Sequence, residues 1–172
     1  YNLATERFLQ DLGVWDSIDA ARRYAFNQMQ VSSAGTAATV TMTADELNEP
    51  HLGHFIENNR VQHALLQQVK HSGNIDLIIG EQLQSLRYQP GTLNVNTDQQ
   101  EYNCSLLVAC DGANSTVRGL LDIAGKRHEY LQRCIVGTVQ FDGDHQQTAW
   151  QRFIKSGPLG MLSLSAQHAS LA

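Results

Sequence analysis

"LLVACDGANSTVR", residues 106–118, is the stretch that decides how this chain is read. Leu106, Leu107, Val108, Ala109 and Cys110 follow one another without a polar break, the pattern of a strand covered on both faces. An acid, a glycine and a group of short polar side chains come next. In an open α/β sheet, ligands bind beyond the carboxyl ends of the strands, so Asp111 stands at a binding position. Gly112 lets the backbone approach a ligand closely or take a positive φ. Asn114 and Ser115 can cap a helix from Thr116, whose amino end would suit an anionic group. The plainer alternative makes Asp111-Gly112 a turn and Asn114 a cap. Spacing alone leaves both open.

Working outward, the residues after Ile75 read as one β-meander. "IDLIIG" (75–80) predicts a short buried strand, and "LQSLRYQ" (83–89), a Pro90-Gly91 turn, "TLNVNT" (92–97) and "YNCSLLVAC" (102–110) predict three more. Leu86 with Tyr88, and Leu93 with Val95, alternate as strand faces do. Upstream, apolar residues between 3 and 21 form a helical stripe, with Gly13 a stop for its first turns. Strands are expected over 24–32 and 37–43, a loop over "DELNEPHLGH" (45–54), and a short strand at Phe55 and Ile56. A helix is expected over 58–71, with Val61, Leu65 and Val69 on one face and Gly73 at its end. Downstream, 134–141 and 148–154 read as strands, and "GPLGMLSLS" and "HASLA" as more sheet. The fold class is therefore mixed α/β, with pieces of two interleaved domains.

The 172 residues, 42% hydrophobic and 17% charged, have a folded composition. A net charge of −5 argues against a nucleic-acid partner. No apolar run approaches the roughly 20 residues of a spanning helix. Cys104, Cys110 and Cys134 are an odd number at irregular spacing, which favours a reducing compartment. With no leader sequence visible, the expected location is cytoplasmic, with contact at the periphery of the inner membrane left open. Asn103 and Asn114 match the glycosylation pattern, which arises easily by chance. His51 and His54 suggest a metal pair, but their own loop supplies no third ligand, so no metal site is expected. Trp150, Arg152 and Phe153 lie on one predicted strand and either line an aromatic pocket or pack within a sheet.

Taken together, these pieces resemble the flavin-dependent aromatic monooxygenases of the p-hydroxybenzoate-hydroxylase-like superfamily. Within it the pattern is most similar to the ubiquinone-biosynthesis hydroxylases, which carry nearly the same Asp-Gly string. "LGVWD" (12–16), "LGHFIENNRVQHALL" (52–66) and "YLQRCIVGTVQFDGDHQQTAWQRFIKSGPLGMLSL" (130–164) resemble further family segments in the same order. Ala109-Cys110 departs from the usual Gly-Ala before the acid, and Ser163 stands where a proline is common. The family's GxGxxG unit and its later Gly-Asp motif are not in these residues, so the chain reads as less than half of such an enzyme, taken from its middle.

The resemblance implies FAD, reduced by NAD(P)H or another electron donor, and transfer of one oxygen atom of O2 to a polyprenylated phenol ring. It also implies a p-hydroxybenzoate-hydroxylase-like fold, with 1–22 and 52–125 as a partial FAD-binding domain and 23–51 and 126–172 as a partial, β-rich substrate domain. Asp111 and Gly112 would lie near the FAD pyrophosphate, with Ser115 and Arg118 supporting the loop. Asn58 matches a flavin-contacting position, and its sequence position equally suits a helix N-cap; Gln62 is either a neighbour of that contact or an exposed helical residue. No residue is singled out as catalytic, because the cofactor carries the chemistry. Peripheral membrane association and self-association of the chain stay open. A reductase or halogenase of the same superfamily is the alternative that keeps the flavin; a non-catalytic module that kept only the scaffold is the other.

Overall fold

The computed structural model describes residues 1–126 and 128–172 and falls into two compact units, residues 1–75 with 133–172, and residues 76–132. In chain order the elements are α1 (Leu3–Asp11), β1 (Tyr24–Phe26), β2 (Gln28–Ser33), β3 (Thr39–Thr43), β4 (Gly53–Phe55) and α2 (Asn58–His71). There follow β5 (Leu83–Gln89), β6 (Thr92–Thr97), β7 (Glu101–Cys104), α3 (Thr116–Leu120), β8 (Gly137–Gln140), β9 (Thr148–Ile154), β10 (Gly157–Ser165) and β11 (His168–Leu171). The mixed α/β class expected from the sequence is the class observed.

The first unit holds a small helical core and a sheet. Asn2 caps α1 by accepting the Thr5 N–H at 2.9 Å. The helix ends at Asp11, and Gly13 at φ +67 turns the chain away, as only glycine does cheaply. Two 3-10 turns, Trp15–Ser17 and Ala20–Arg22, replace the longer helix that the apolar stripe suggested. Leu9, Val14, Trp15, Ile18, Ile56, Val61 and Ala64 form the core, so α2 buries its Val61 and Ala64 positions against α1 and the turn that follows it. Each large apolar side chain buried there contributes about 1.5–3 kcal/mol. The bounds of α2 are those expected, but its end differs. Ser72 in an extended conformation closes it, and Gly73 has no positive φ.

β1 pairs antiparallel with β4, which begins two residues before the expected Phe55–Ile56 strand and ends one before it. Gly53 also bridges to Asn2, and a Cβ there would stand 2.3 Å from the Tyr1 carbonyl oxygen and 3.2 Å from the Phe26 ring. Backbone cannot yield as a flexible side chain does. Gly53→Ala is expected to cost about 1–3 kcal/mol, read as a lower midpoint in thermal or denaturant unfolding.

The six-stranded sheet has the order β3-β2-β9-β10-β11-β8 and draws only on residues 28–43 and 137–171. Its pairings are antiparallel except β2 with β9, which is parallel and therefore needs the long crossover through residues 34–147. Ser163 lies fully buried on β10, where its hydroxyl donates to the Thr148 carbonyl at 3.4 Å beside a register shift between Ser163 and Ser165. Trp150 pairs with Met161 and Gln30 on either side and is half-buried, while Arg152 and Phe153 are exposed. The expected strand at 134–141 is shorter, with Ile135 and Val136 outside any ladder.

The second unit is the predicted meander, order β5-β6-β7, with Leu86 opposite Val95 and Gly91 at φ +82 in the turn. Glu81 ties its edge together by accepting from Thr97 (2.7 Å), Gln100 (3.0 Å) and Tyr102 (2.8 Å). Two expectations fail here. Residues 75–80 form no strand, and Ile79 is 76% exposed. The ladder of β7 stops at Cys104, leaving Leu106 77% and Val108 70% exposed instead of buried. A strand covered on both faces requires hydrogen-bonded neighbours and side chains above and below. Among the described residues neither segment has them.

Candidate functional site

Asp111 follows an uncovered segment outside any strand, not a buried strand, and its carboxylate turns onto the chain just ahead. One oxygen accepts from the Ser115 hydroxyl at 2.6 Å and the other from the Val117 N–H at 3.1 Å. Ser115 caps α3, accepting the Arg118 N–H at 3.0 Å. The Ser115 hydroxyl first, then the Val117 N–H, hold the Asp111 pKa below the ordinary carboxylate value. The arrangement closes on itself when the Arg118 guanidinium donates to the Ala113 carbonyl at 2.6 Å. Ser115, not Asn114, is thus the cap, and Ser115→Ala is expected to cost about 1 kcal/mol. Faster amide hydrogen exchange over 116–120 is the measurement that reads it.

Phosphate at the amino end of α3 does not fit. Its N–H groups already serve Asp111 and Ser115, and Asp111 places a negative charge there. Close backbone approach does fit. Gly112 sits at φ +81, and no heavy atom lies within 4 Å of the position a Cβ would take. The loop also borders a cavity of about 470 Å3, lined by Leu86, Leu93, Leu107 and Ile123 together with Asp111, Gly112, Ser115 and Arg118. Four of the five residues expected at the site therefore line one apolar-walled cavity.

Asn58, the fifth, belongs to the other unit. It is the first residue of α2, and Glu57 holds the cap position without a side-chain capping bond, so the N-cap alternative for Asn58 is not what the structure has. Its Oδ1 accepts from the Tyr1 hydroxyl at 3.1 Å. Gln62 is exposed one turn further along.

Reading the sequence missed a separate cluster. Glu6, in the first turn of α1, reaches His51 Nε2 at 2.8 Å and His54 Nδ1 at 3.0 Å with the same oxygen. The loop of His51 and His54 supplies no third side chain, as expected; the carboxylate that meets them comes from 45 residues upstream, where local spacing gives no signal. The Glu6 carboxylate oxygen and the two ring nitrogens lie within 4.8 Å of one another.

Comparisons with known proteins agree with one another. A family model described as "FAD binding domain" matches residues 2–168. The 3-demethoxyubiquinol 3-hydroxylase of Escherichia coli (strain K12) is 31% identical over 169 residues, which cover 98% of this chain and 43% of that protein. The mitochondrial ubiquinone biosynthesis monooxygenase COQ6 of Homo sapiens is 30% identical, covering 95% of this chain and 37% of its own length. The chain spans less than half the length of these relatives. Among solved structures, pqsL from Pseudomonas aeruginosa, described as a probable FAD-dependent monooxygenase, superposes with a TM-score of 0.84 at 15% identity, over 99% of this chain and 48% of that one. The flavin-dependent monooxygenase PieE, solved with FAD and substrate, superposes with a TM-score of 0.70 at 16% identity, over 99% and 34%. At such identities the structural likeness concerns the fold, and it is the fold expected from the sequence. With 167 of its residues inside one family match, residues 2–168, this chain belongs to the FAD binding domain family.

Proposed function

We propose that this chain is part of an FAD-dependent monooxygenase that hydroxylates the ring of a polyprenylated phenol in ubiquinone biosynthesis. The observation carrying the reading is the 31% identity with a ubiquinol hydroxylase along 98% of the chain. The Asp111 loop adds physical support. Gly112 offers open backbone beside an apolar-walled cavity, and Ser115 and Arg118 hold that backbone in place. When bound, the flavin would supply the activated oxygen. The chain's own residues would position it: Gly112 by close approach, Asp111, Ser115 and Arg118 by fixing the loop, and Asn58 through its side-chain amide. The partition into cofactor-facing residues 1–22 and 52–125 and substrate-facing residues 23–51 and 126–172 belongs to the same proposal.

NAD(P)H is the electron donor in this reading, and the polyprenyl tail of the substrate brings the enzyme to the periphery of a membrane. No helix among the described residues is long and apolar enough to cross one. The test is product analysis with the full-length protein, given NADPH, a polyprenylated phenol and isotopically labelled O2. One labelled oxygen on the ring is expected. Flavin reduction without ring hydroxylation would move the assignment to a reductase.

A further inference from the structure

Glu6, His51 and His54 are brought together by backbone structure, not by surface side chains meeting by chance. Tyr1 and β4 exchange hydrogen bonds, Tyr1 N to His54 O and His54 N to Tyr1 O, both at 2.9 Å. Asn2 bridges to Gly53 and caps α1, so the first turn of that helix is fixed over β4. Glu6 projects from that turn. The side chains of Glu6, His51 and His54 are only 12%, 16% and 13% exposed. The His54 ring stands edge-on to Trp15 at 5.1 Å and to His51 at 4.5 Å, which fixes its orientation.

Two imidazole nitrogens aim at one Glu6 oxygen, which accepts an N–H from each ring or, with the rings in their other tautomers, shares a cation with them. Two nitrogens and a carboxylate oxygen are the donor set of His2Glu zinc sites. Around a tetrahedral ion with bonds near 2.0–2.1 Å, neighbouring ligand atoms lie about 3.3 Å apart. The two carboxylate–imidazole separations, 2.8 and 3.0 Å, lie a few tenths of an ångström below that, and the two ring nitrogens lie within 4.8 Å of each other.

We propose that Glu6, His51 and His54 form a binding site for a divalent first-row transition ion, zinc by default, with one coordination position left for water or another ligand. The ion replaces the protons now shared between the imidazoles and the carboxylate and fastens α1 to β4. The site lies wholly within the first unit and is independent of the flavin reading.

The test is a titration of the chelator-stripped 172-residue chain with Zn2+, followed by calorimetry and thermal unfolding, and with Co2+, followed by its visible absorption. One equivalent should bind, raise the unfolding midpoint and give the intensified bands of low-coordinate Co2+. His51→Ala and the near-isosteric Glu6→Gln should each weaken Zn2+ binding on the order of 100-fold or more, since even outer-shell changes cost 10–100-fold. Circular dichroism checks that each variant is folded, and His51→Asn stands in should Glu6→Gln fail to fold. Replacing Cys104, Cys110 and Cys134 together by serine should leave binding unchanged. Absence of saturable Zn2+ binding overturns the proposal. So does binding that survives His51→Ala and disappears with the thiols.

Discussion

Purified as it stands, the 172-residue chain is expected to be colourless and to lose added FAD completely on desalting. Immobilising a large cofactor costs roughly 4–15 kcal/mol, so many well-placed contacts are needed before any affinity appears. Of the residues assigned to the cofactor, the Asp111 loop offers chiefly the open backbone at Gly112, because its carboxylate and the first N–H groups of α3 are bonded to each other. Nowhere does the sequence contain two glycines separated by one residue, so it has no GxGxxG cradle for a pyrophosphate. The same chain leaves Ile79, Leu106, Val108 and Ile135 at 76%, 77%, 70% and 88% exposure on segments without a strand ladder. Apolar backbone of that kind pairs readily with another copy. Self-association is therefore the expected companion of the missing colour, seen as a mass above 19.1 kDa in solution. A yellow monomer with one FAD per chain would show that these residues hold the cofactor unaided.

Local chemistry was legible in the sequence where neighbours in the chain supply the structure. The meander followed from alternation and the Pro90-Gly91 turn, and α2 from its repeat of apolar residues. Ser115 was readable as a cap because capping acts over three residues. What failed depended on distant partners. Residues 106–110 have the composition of a covered strand, yet composition states only what cover a segment wants, not whether the chain provides it. Asn58 suited a cap, but the cap position falls one residue earlier, on Glu57, and Tyr1, 57 positions away, takes the Asn58 side chain. Glu6 escaped notice for the same reason: an acid on one helix and two histidines near a strand have no common spacing. The family resemblance was legible because several weak segments occurred in one order, a kind of evidence that no single motif supplies.

In the full-length protein, Asp111→Ala is expected to weaken FAD retention roughly 10- to 100-fold, the scale of loss when a binding element shifts by about 1 Å. The effect would come through position. Removing the carboxylate leaves the Val117 N–H without its partner and frees the Ser115 hydroxyl, so the turn containing Gly112 is no longer held. Asp111→Asn keeps one acceptor and should lose less; Ser115→Ala, which removes the hydroxyl but spares the bond to Val117, should fall between wild type and Asp111→Ala. The pH dependence has a definite sign. The folded-state pKa of Asp111 lies below the ordinary value, with the Ser115 hydrogen bond the largest cause. Its contribution is therefore complete above the ordinary carboxylate pKa of about 4 and is lost as pH falls through the lowered folded value. Flavin retention in wild type should hold flat through neutral pH and decline only in strong acid, whereas Asp111→Ala should start low and show no such step. Circular dichroism separates this from unfolding, because α3 spans only Thr116–Leu120 and its fraying barely alters the whole. Normal flavin content and normal turnover in Asp111→Ala would mean that the aspartate merely completes a turn, and that Gly112 holds its course without it.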